Sequence, residues 1–354
     1  MLTVLADENI ANLDDYLAHH PIKVIKMAGR AINHQSLADH RPDALFIRSV
    51  TQVTAENLGG LKDTPLKFVG SATIGTDHVD SAYLAEHQIS FANAAGCSKH
   101  SVAQYVVTAI LNTCLQFNQK PIKLGIIGLG NIGSTLARYA DQLGWQIAGF
   151  DPFLRASKIN NASFEEVLTA DVISIHTPLT HSGAHPTYRM FNAQTFEKLC
   201  PNTLLINSAR GEIIEEEALI DAINHKNLQV VLDVFPDEPT ISAPLFDALS
   251  IATPHIAGYT LEGKIRGTDM IYQAFCRKFD LPIIQRFDAL LPPNPYHLSK
   301  LLSDQTLENL RQFYDIAADY HDLTAVNQAG VSGADFDALR KHYRLRREWI
   351  FDCE

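Results

Sequence analysis

Cysteines are few in this sequence, and long uncharged apolar runs are missing from it. The cysteines are odd in number, widely scattered and form no CxxC pair: Cys97, Cys114, Cys200, Cys276 and Cys353. That spacing argues against a metal site or a disulfide framework and favours free thiols in a reducing compartment. No stretch reaches the ~18 apolar residues of a membrane helix, and Asp7 and Glu8 follow the N-terminus too closely for a signal peptide. We therefore expect a cytoplasmic protein without a metal.

Basic residues are also in deficit. Lys and Arg number 29 against 40 Asp and Glu, which gives a formal net charge of −11. An anionic surface repels phosphate, which argues against a general role in binding nucleic acid or a membrane surface, whereas a small anionic substrate needs only a local basic pocket. The 354 residues, 46% hydrophobic and 19% charged, suggest a globular protein of roughly two or three domains.

Short apolar runs alternate with helix-like segments in two parts of the chain. The first part has the candidate strands Leu2–Ala6, Ile22–Met27, Ala44–Arg48, Lys67–Gly70 and Ile89–Ala92. The second has Leu124–Ile127, Ile147–Phe150, Val172–Ile175, Thr203–Ile206, Val230–Val234 and Ser250–Thr253. Helical stretches are expected at Ser101–Gln116 and from Gly258 to about Phe279. The alternation predicts an α/β fold with parallel sheets, and six strands suit two mononucleotide-binding halves.

A proline cluster marks the end of this alternation. The segment LLPPNPYH contains Pro292, Pro293 and Pro295 and is typical of a linker. The tail from about Ser299 is polar and partly helical, and it ends in a basic run from Arg340 to Arg347.

A glycine-rich loop, Gly128-x-Gly130-x-x-Gly133, follows a candidate strand and opens a helix. The first glycine permits a tight turn, the second permits close approach of a pyrophosphate, and the third permits close helix packing. Backbone N–H groups at the helix start then favour an anion.

Asp151 ends the strand that follows this helix. A carboxylate there accepts hydrogen bonds from the adenosine ribose and repels the extra phosphate of NADP. A glycine-rich turn with Asp151 merely capping a loop is the alternative, but the order of strand, loop, helix, strand and acid favours NAD. No Walker lysine follows the glycines, which disfavours a P-loop nucleotidase.

Three later strands each end near a charged or ionisable residue. Arg210, Glu238 and His255 follow the strands at Thr203–Ile206, Val230–Val234 and Ser250–Thr253. A guanidinium holds a carboxylate at two points, an imidazole takes a hydroxyl proton, and a neighbouring carboxylate stabilises the imidazolium. Each residue taken alone also fits a structural role: Arg210 in a surface ion pair, His255 as a loop histidine and Glu238 as part of a turn. Their convergence on one sheet edge favours a hydroxy acid dehydrogenase.

The runs NSARG, DEP and PHIAGYT behind GLGNIG resemble the D-isomer-specific 2-hydroxyacid dehydrogenases. The resemblance implies that Arg210 binds the substrate carboxylate, Glu238 supports His255, and His255 is the acid/base. It also implies NAD contacts at these positions: Gly128, Gly130, Asn131, Ile132, Gly133, Asp151, Thr177, Ser208, Ala209, Asp233 and Gly258.

Further runs resemble one branch of that family, which oxidises a small phosphorylated hydroxy acid. They are RSVTQV, GSATIGTDHVD, PHIAGYTLEGKIRGT and FDALRKHYRLRREW. The resemblance implies substrate contacts at Ser49, Thr73 and Tyr259, although Tyr259 is equally well read as a core aromatic. Candidates for holding the phosphate are Arg48, Lys99, Lys264 and Arg266.

The family's architecture implies two doubly wound lobes and a small C-terminal α+β module. We expect a flavodoxin-like substrate lobe at 1–96 with 259–285, a Rossmann NAD lobe at 97–258, and a dimerisation module at 290–354, shorter than in that branch. The expected partners are the substrate and a second copy of the chain. The alternatives are a dehydrogenase acting on 3-phosphoglycerate or hydroxypyruvate/glyoxylate, and a non-catalytic NAD-sensing scaffold.

Overall fold

The structure, a computed structural model, describes residues 1–114, 122–304 and 306–351. The chain forms two compact units, one of Met1–Ser98 with Thr260–Pro293 and the other of Lys99–Tyr259 with Asn294–Glu354. Each unit therefore consists of two separate stretches of chain.

The first unit begins with a regular alternation of strands and helices. The elements are β1 (Leu2–Asp7), α1 (Leu13–Leu17), β2 (Ile22–Met27), α2 (His34–His40), β3 (Ala44–Ile47), α3 (Ala55–Leu58), β4 (Phe68–Ser71), α4 (Ser81–Glu86) and β5 (Ser90–Asn93). The strands form a parallel sheet in the order β2-β1-β3-β4-β5. This is the flavodoxin-like order, and all five predicted strands are present.

The rest of the chain contains the second alternation, a returning helix and the tail. The second alternation comprises α5 (Lys99–Cys114), β6 (Lys123–Ile127), α6 (Asn131–Gln142), β7 (Gln146–Phe150), α7 (Phe164–Val167), β8 (Val172–Ile175), α8 (Ala193–Glu197), β9 (Leu204–Asn207), α9 (Glu216–Lys226), β10 (Gln229–Leu232), β11 (Ile241–Ser242), α10 (Ala243–Ala248) and β12 (Ile251–Ala252). The returning helix is α11 (Leu261–Lys278), and the tail contains α12 (Leu298–Ser303), α13 (Leu307–Phe313), α14 (Ile316–Ala325), β13 (Gly330–Val331) and α15 (Gly333–Lys341). The predicted helix end at Gln116 lies outside the described residues, as does Cys353.

Helix α11 returns to the first unit and packs against its sheet. The ring of Phe275 lies 5.4 Å from that of Phe46, nearly perpendicular to it, and 6.0 Å from that of Phe68. All three side chains are buried. Edge-to-face aromatic packing adds to the burial of apolar area, so the sheet obtains part of its core from a distant segment.

The second unit contains a six-stranded parallel sheet in the order β12-β10-β9-β8-β6-β7. All six predicted strands are present. The Rossmann order of two mononucleotide-binding halves would place two strands beyond β6, whereas among the described residues β7 alone lies there. A parallel bridge from Gly149 to Asn160 lies where the further strand would pair. The strand order reverses at β6, the switch point where ligands bind in such sheets.

The tail packs on both faces of the second unit's sheet. Leu310 and Trp349 belong to the buried cluster around α5 and α6, and Leu323 and Phe336 belong to the cluster on the other face. Strand β13 also pairs antiparallel with β11. The tail therefore has its core in common with the second unit. Its role in dimerisation stays a prediction.

Two structural findings bear on membranes and metals. Every helix in the described ranges falls short of the length and apolarity that a membrane crossing requires. Within those ranges, no group of three or more His, Cys, Asp and Glu side chains is arranged to hold a metal ion. The side chains of Cys97 and Cys276 are buried, and that of Cys200 is exposed.

Candidate active site

The glycine loop between β6 and α6 is too crowded for side chains at two positions. Gly128 has a φ of +88°, and a Cβ there would lie 2.6 Å from the carbonyl oxygen of His176. A Cβ on Gly133 would lie 2.0 Å from the carbonyl oxygen of Gly128. Glycine at both positions lets the loop turn sharply and lets α6 approach β6 closely.

Gly130 differs, because a Cβ there would meet no described atom within 4 Å. Gly130 is also the N-cap of α6 and has no side chain to accept from the first amides of the helix. The N–H groups at the start of α6, beginning with Asn131 and Ile132, thus form an anion-binding terminus with room for a phosphate beside it.

Asp151 follows β7 and is held against the glycine loop. Its Oδ2 accepts from the amide of Leu129 at 3.0 Å, and its Oδ1 accepts from the amide of Phe153 at 3.0 Å. Asp151 therefore caps the loop that follows it, and it also ties that loop to the glycine turn. Each carboxylate oxygen has a further lone pair for a ribose hydroxyl.

Two buried hydroxyls near this loop fit a bound cofactor. The Oγ1 of Thr177, two residues beyond β8, and the Oγ of Ser208, directly after β9, have no hydrogen-bond partner among the described residues. A buried unsatisfied hydroxyl costs about 1–3 kcal/mol, a cost that a polar ligand removes. Ala209 follows Ser208, and its amide donates to Oδ1 of Asn207 at 3.0 Å. These residues and the glycine loop suit the dinucleotide that sequence analysis predicts.

The three predicted catalytic residues follow neighbouring strands. Strand β10 lies between β9 and β12, and all three are parallel. Arg210, Glu238 and His255 thus stand beyond the carboxyl ends of adjacent strands. A Cβ on Gly211 would lie 1.9 Å from the carbonyl carbon of Phe235, so the Arg210 loop packs directly against the turn that carries Glu238.

His255 and Glu238 form a hydrogen-bonded pair. Nδ1 of His255 lies 2.8 Å from Oε2 of Glu238, and Oε1 of Glu238 accepts from the amide of Phe235 at 3.1 Å. The His255 side chain is 35% exposed, which leaves its other face accessible. Burial lowers the pKa of His255, but the charge and hydrogen bond of Glu238 outweigh it and raise that pKa above its ordinary value. The pKa of Glu238 is lowered, because burial, which raises it, is outweighed by His255 and Arg340.

Asp233 organises the loop that carries His255. Its Oδ1 accepts from the hydroxyl of Thr253 and the amide of Ile256, both at 2.7 Å, and its Oδ2 accepts from the amide of Ala257 at 2.9 Å. Burial raises the pKa of Asp233 to about 6 against these hydrogen bonds. His255 itself has a φ of +54°, an uncommon conformation for a non-glycine residue that the surrounding contacts must maintain.

Arg346 holds the same loop from its carbonyl side, and sequence analysis assigns it no role. Its Nη1 donates to the carbonyl of Ile256 at 3.1 Å, and its Nη2 donates to the carbonyl of Ala257 at 2.7 Å. The guanidinium also stacks on the ring of Tyr314 at 4.1 Å. The basic run at the end of the tail is the only sequence signal for this contact.

Tyr259 is half-buried and contacts the tail, just beyond Gly258. Its hydroxyl accepts from Nη2 of Arg340 at 3.3 Å, and its ring lies 6.0 Å from that of Tyr343. The ring therefore packs as an aromatic against the tail, and the contact of the hydroxyl with substrate stays a prediction.

Ser49 and Thr73 belong to the first unit, where they follow the adjacent strands β3 and β4. Ser49 is exposed, and the hydroxyl of Thr73 lies 2.7 Å from that of Ser71. Among the phosphate candidates, Arg266 donates to the carbonyl of Cys97 and lies over the ring of Phe287. Arg48 is half-buried beside Ser49.

Comparison with known proteins agrees with this geometry. Residues 108–257 match the family described as D-isomer specific 2-hydroxyacid dehydrogenase, NAD binding domain. A crystal structure of NAD+-bound 3-phosphoglycerate dehydrogenase from Entamoeba histolytica has a similar fold, with a TM-score of 0.65 over 79% of this chain and 95% of that one. Its sequence is 23% identical, so this likeness concerns the fold alone.

The chain belongs to the D-isomer specific 2-hydroxyacid dehydrogenase family, whose cofactor is NAD. A Psychrobacter protein that is named erythronate-4-phosphate dehydrogenase is 53% identical to this chain. The alignment covers 99% of this chain and all of that protein. A protein of the same name from Acinetobacter baumannii is 47% identical over 98% of each chain. The predicted family, its narrower branch and the cofactor are thereby confirmed.

Replacing Glu238 by Gln tests the electrostatic part of the histidine pair. Loss of the carboxylate charge lowers the pKa of His255, so the acid limb of kcat/KM for hydroxy acid oxidation moves to lower pH, by about one unit. We also expect kcat to fall by about tenfold or more, because the imidazolium loses its stabilising partner. Asp237→Asn removes a charge from an exposed position in the same turn and is the control. An unmoved acid limb in Glu238→Gln would refute the coupling.

Replacing Asp151 by Asn tests how the cofactor is selected. The change removes the charge that repels a 2′-phosphate but keeps one oxygen, which accepts from one of the two loop amides. The ratio of kcat/KM for NAD to that for NADP is expected to fall by about tenfold or more. Asp141→Asn, an exposed change on α6, should leave the ratio unaltered. Equal ratios in both variants would remove Asp151 from cofactor selection.

Proposed function

We propose that this chain oxidises 4-phospho-D-erythronate to (R)-3-hydroxy-2-oxo-4-phosphooxybutanoate in the synthesis of pyridoxal 5′-phosphate. The observation that carries the proposal is the His255–Glu238 pair, with Nδ1 and Oε2 2.8 Å apart. The pair follows the two strands next to that of Arg210 and lies in the same unit as the glycine loop. The relatives that this chain matches over nearly their full length bear the name erythronate-4-phosphate dehydrogenase, which supports this substrate over other hydroxy acids.

The residues divide the chemistry between them. Arg210 holds the substrate carboxylate through its forked N–H donors and polarises the adjacent carbon–oxygen bond. Nδ1 of His255 faces Glu238, so Nε2 is the atom that accepts the proton of the C2 hydroxyl. Glu238 stabilises the imidazolium that results. The chemistry that bound NAD supplies is acceptance of the hydride released from C2.

The residues that would hold NAD are those of the glycine loop with Asp151, Thr177, Ser208, Ala209, Asp233 and Gly258. Room beside Gly130 and the buried hydroxyls of Thr177 and Ser208 support this assignment. Both oxygens of Asp233 already accept hydrogen bonds from its own unit, so any cofactor contact there is additional to its role in the His255 loop.

Substrate contacts are proposed at Ser49, Thr73 and Tyr259. The exposed hydroxyl of Ser49 and the fixed hydroxyl of Thr73 follow neighbouring strands of the first unit's sheet. Tyr259 offers a phenol that Arg340 already orients. Hydroxyl donors of this kind suit a substrate rich in oxygen acceptors.

A substrate panel tests the proposed activity. The purified enzyme should turn over 4-phospho-D-erythronate with a higher kcat/KM than 3-phosphoglycerate, glycerate or D-erythronate. His255→Ala should retain NAD binding, measured by calorimetry, while kcat falls by roughly two orders of magnitude or more because the proton acceptor is lost. Equal or better turnover of 3-phosphoglycerate would contradict the substrate assignment. NAD binding without turnover of any hydroxy acid would indicate the non-catalytic scaffold.

We also propose that the chain works in the cytoplasm as a homodimer through residues 290–354, as the family resemblance implies. Sedimentation velocity of the purified protein should give a mass of about twice that of one chain, because a closed twofold dimer is the commonest assembly of soluble enzymes. A monomer at micromolar concentration would contradict the proposal.

A further inference from the structure

The tail residues 330–340 lie against the turn that carries Glu238, on both sides of it. Before Glu238, the buried ring of Phe336 contacts that of Phe235 at 6.1 Å. After it, β13 pairs with β11, and a Cβ on Gly333 would lie 2.9 Å from the side chain of Pro239. Residues of β13 and α15 therefore support the turn, although they follow it by roughly one hundred positions in the sequence.

Arg340 is the charged residue of this stretch that contacts Tyr259, four residues beyond His255. Its Nη2 donates to the hydroxyl of Tyr259 at 3.3 Å, and its guanidinium lies 5.7 Å from the ring of Phe336 and 5.9 Å from that of Tyr259. Its Nε is buried and has no hydrogen-bond partner among the described residues. Oδ1 of Asp337, on the same helix, lies 3.7 Å from Nη1 of Arg340, and its side chain is more exposed than that of Arg340. Asp337 therefore compensates the charge of Arg340 only weakly.

We propose that Arg340 is a positioning residue for the reaction, holding Tyr259 and setting the charge balance of the His255–Glu238 pair from the tail. The proposal rests on the proposed function, because the pair must perform proton transfer for its charge balance to matter. A cation here opposes protonation of His255 and favours ionised Glu238, whereas the carboxylates have the opposite effect on the imidazole.

Charged groups around the pair include Arg210, whose loop packs against the Glu238 turn, and residues of three further segments. Glu238 and Asp233 follow β10, and both raise the pKa of His255, while Arg340 on α15 lowers it. Arg346, beyond α15, contacts the carbonyls of the His255 loop. On this proposal, the positive charge of Arg340, held on Tyr259 in the same loop, opposes retention of the proton by His255. The proton affinity of His255 matters because a general base must lose its proton again in each turnover.

Arg340→Met removes the charge and the hydrogen bond to Tyr259 while keeping much of the apolar stem. We expect the acid limb of kcat/KM for 4-phospho-D-erythronate oxidation to move to higher pH by about half a unit to one unit. Arg340→Lys, which keeps the charge, should restore the wild-type midpoint. Lys341→Met makes the same charge change on the exposed next residue of the helix and should leave the midpoint unmoved. Arg340→Gln replaces the Met variant if thermal melting shows that the latter is unfolded.

Three results would overturn this role for Arg340. One is an unmoved midpoint in the folded neutral variant, either Arg340→Met or its replacement Arg340→Gln. Another is an equal shift in Lys341→Met, which would indicate net charge alone. The third is an unmoved midpoint with a raised KM for the phosphorylated substrate but not for D-erythronate, which would make Arg340 a phosphate ligand. Failure of the wild-type enzyme to oxidise 4-phospho-D-erythronate would instead refute the proposed function, so the two failures are distinct.

Discussion

The buried carboxylate of Asp233 is the group on which the catalytic edge of the second sheet depends. It accepts one hydroxyl and two backbone amides, and hydrogen bonds to a charged acceptor contribute roughly 1.5–3 kcal/mol each. Those bonds offset the desolvation that raises its pKa to about 6. The hydroxyl of Tyr105 lies 2.7 Å from that of Thr253, so the network extends from α5 to the His255 loop. A rigid support of this kind is what a left-handed histidine requires.

The loop is held from two chemically opposite sides. Asp233 takes the N–H groups of Ile256 and Ala257, while Arg346 donates to the carbonyls of the same two residues. Both backbone polar groups of each residue are thereby satisfied without a helix or a sheet. Since Arg346 comes from the tail, the tail contributes to catalytic geometry whether or not it also forms a dimer interface. Residues of the tail also belong to both buried clusters of the second unit, so the tail is part of the core of that unit.

Local pattern predicts the parts of this protein that local chemistry determines. All eleven candidate strands are present, because buried parallel strands are short apolar runs bounded by turns. The glycine loop is also recognisable, since a Cβ at Gly133 or Gly128 would lie 2.0 or 2.6 Å from a backbone oxygen, which leaves only glycine at both positions.

Other features cannot be predicted from a local pattern. The two-residue strands β11 and β13 are too short to show an alternation. The contacts of Arg340 and Arg346 join positions far apart in sequence, and a basic run by itself is usually a solvated surface. The missing strand beyond β7 is likewise a matter of pairing, which no single run of residues reveals.

Buried polar atoms in the second unit are of two kinds. Some have hydrogen-bond partners within the protein and support the His255 loop, and others have none among the described residues and are candidates for binding a ligand. Asp233 and Thr253 have their hydrogen bonds within the protein, and they build the histidine loop. The hydroxyls of Thr177 and Ser208 are buried without a partner among the described residues, and both follow strands near the glycine loop. Folding alone would not favour such atoms, since each costs about 1–3 kcal/mol. Their location, beyond the carboxyl ends of parallel strands on the same sheet as an uncapped helix start, is where the proposed dinucleotide would remove that cost. The hydrogen bonds that Asp233 accepts from the histidine loop, by contrast, come from the protein itself.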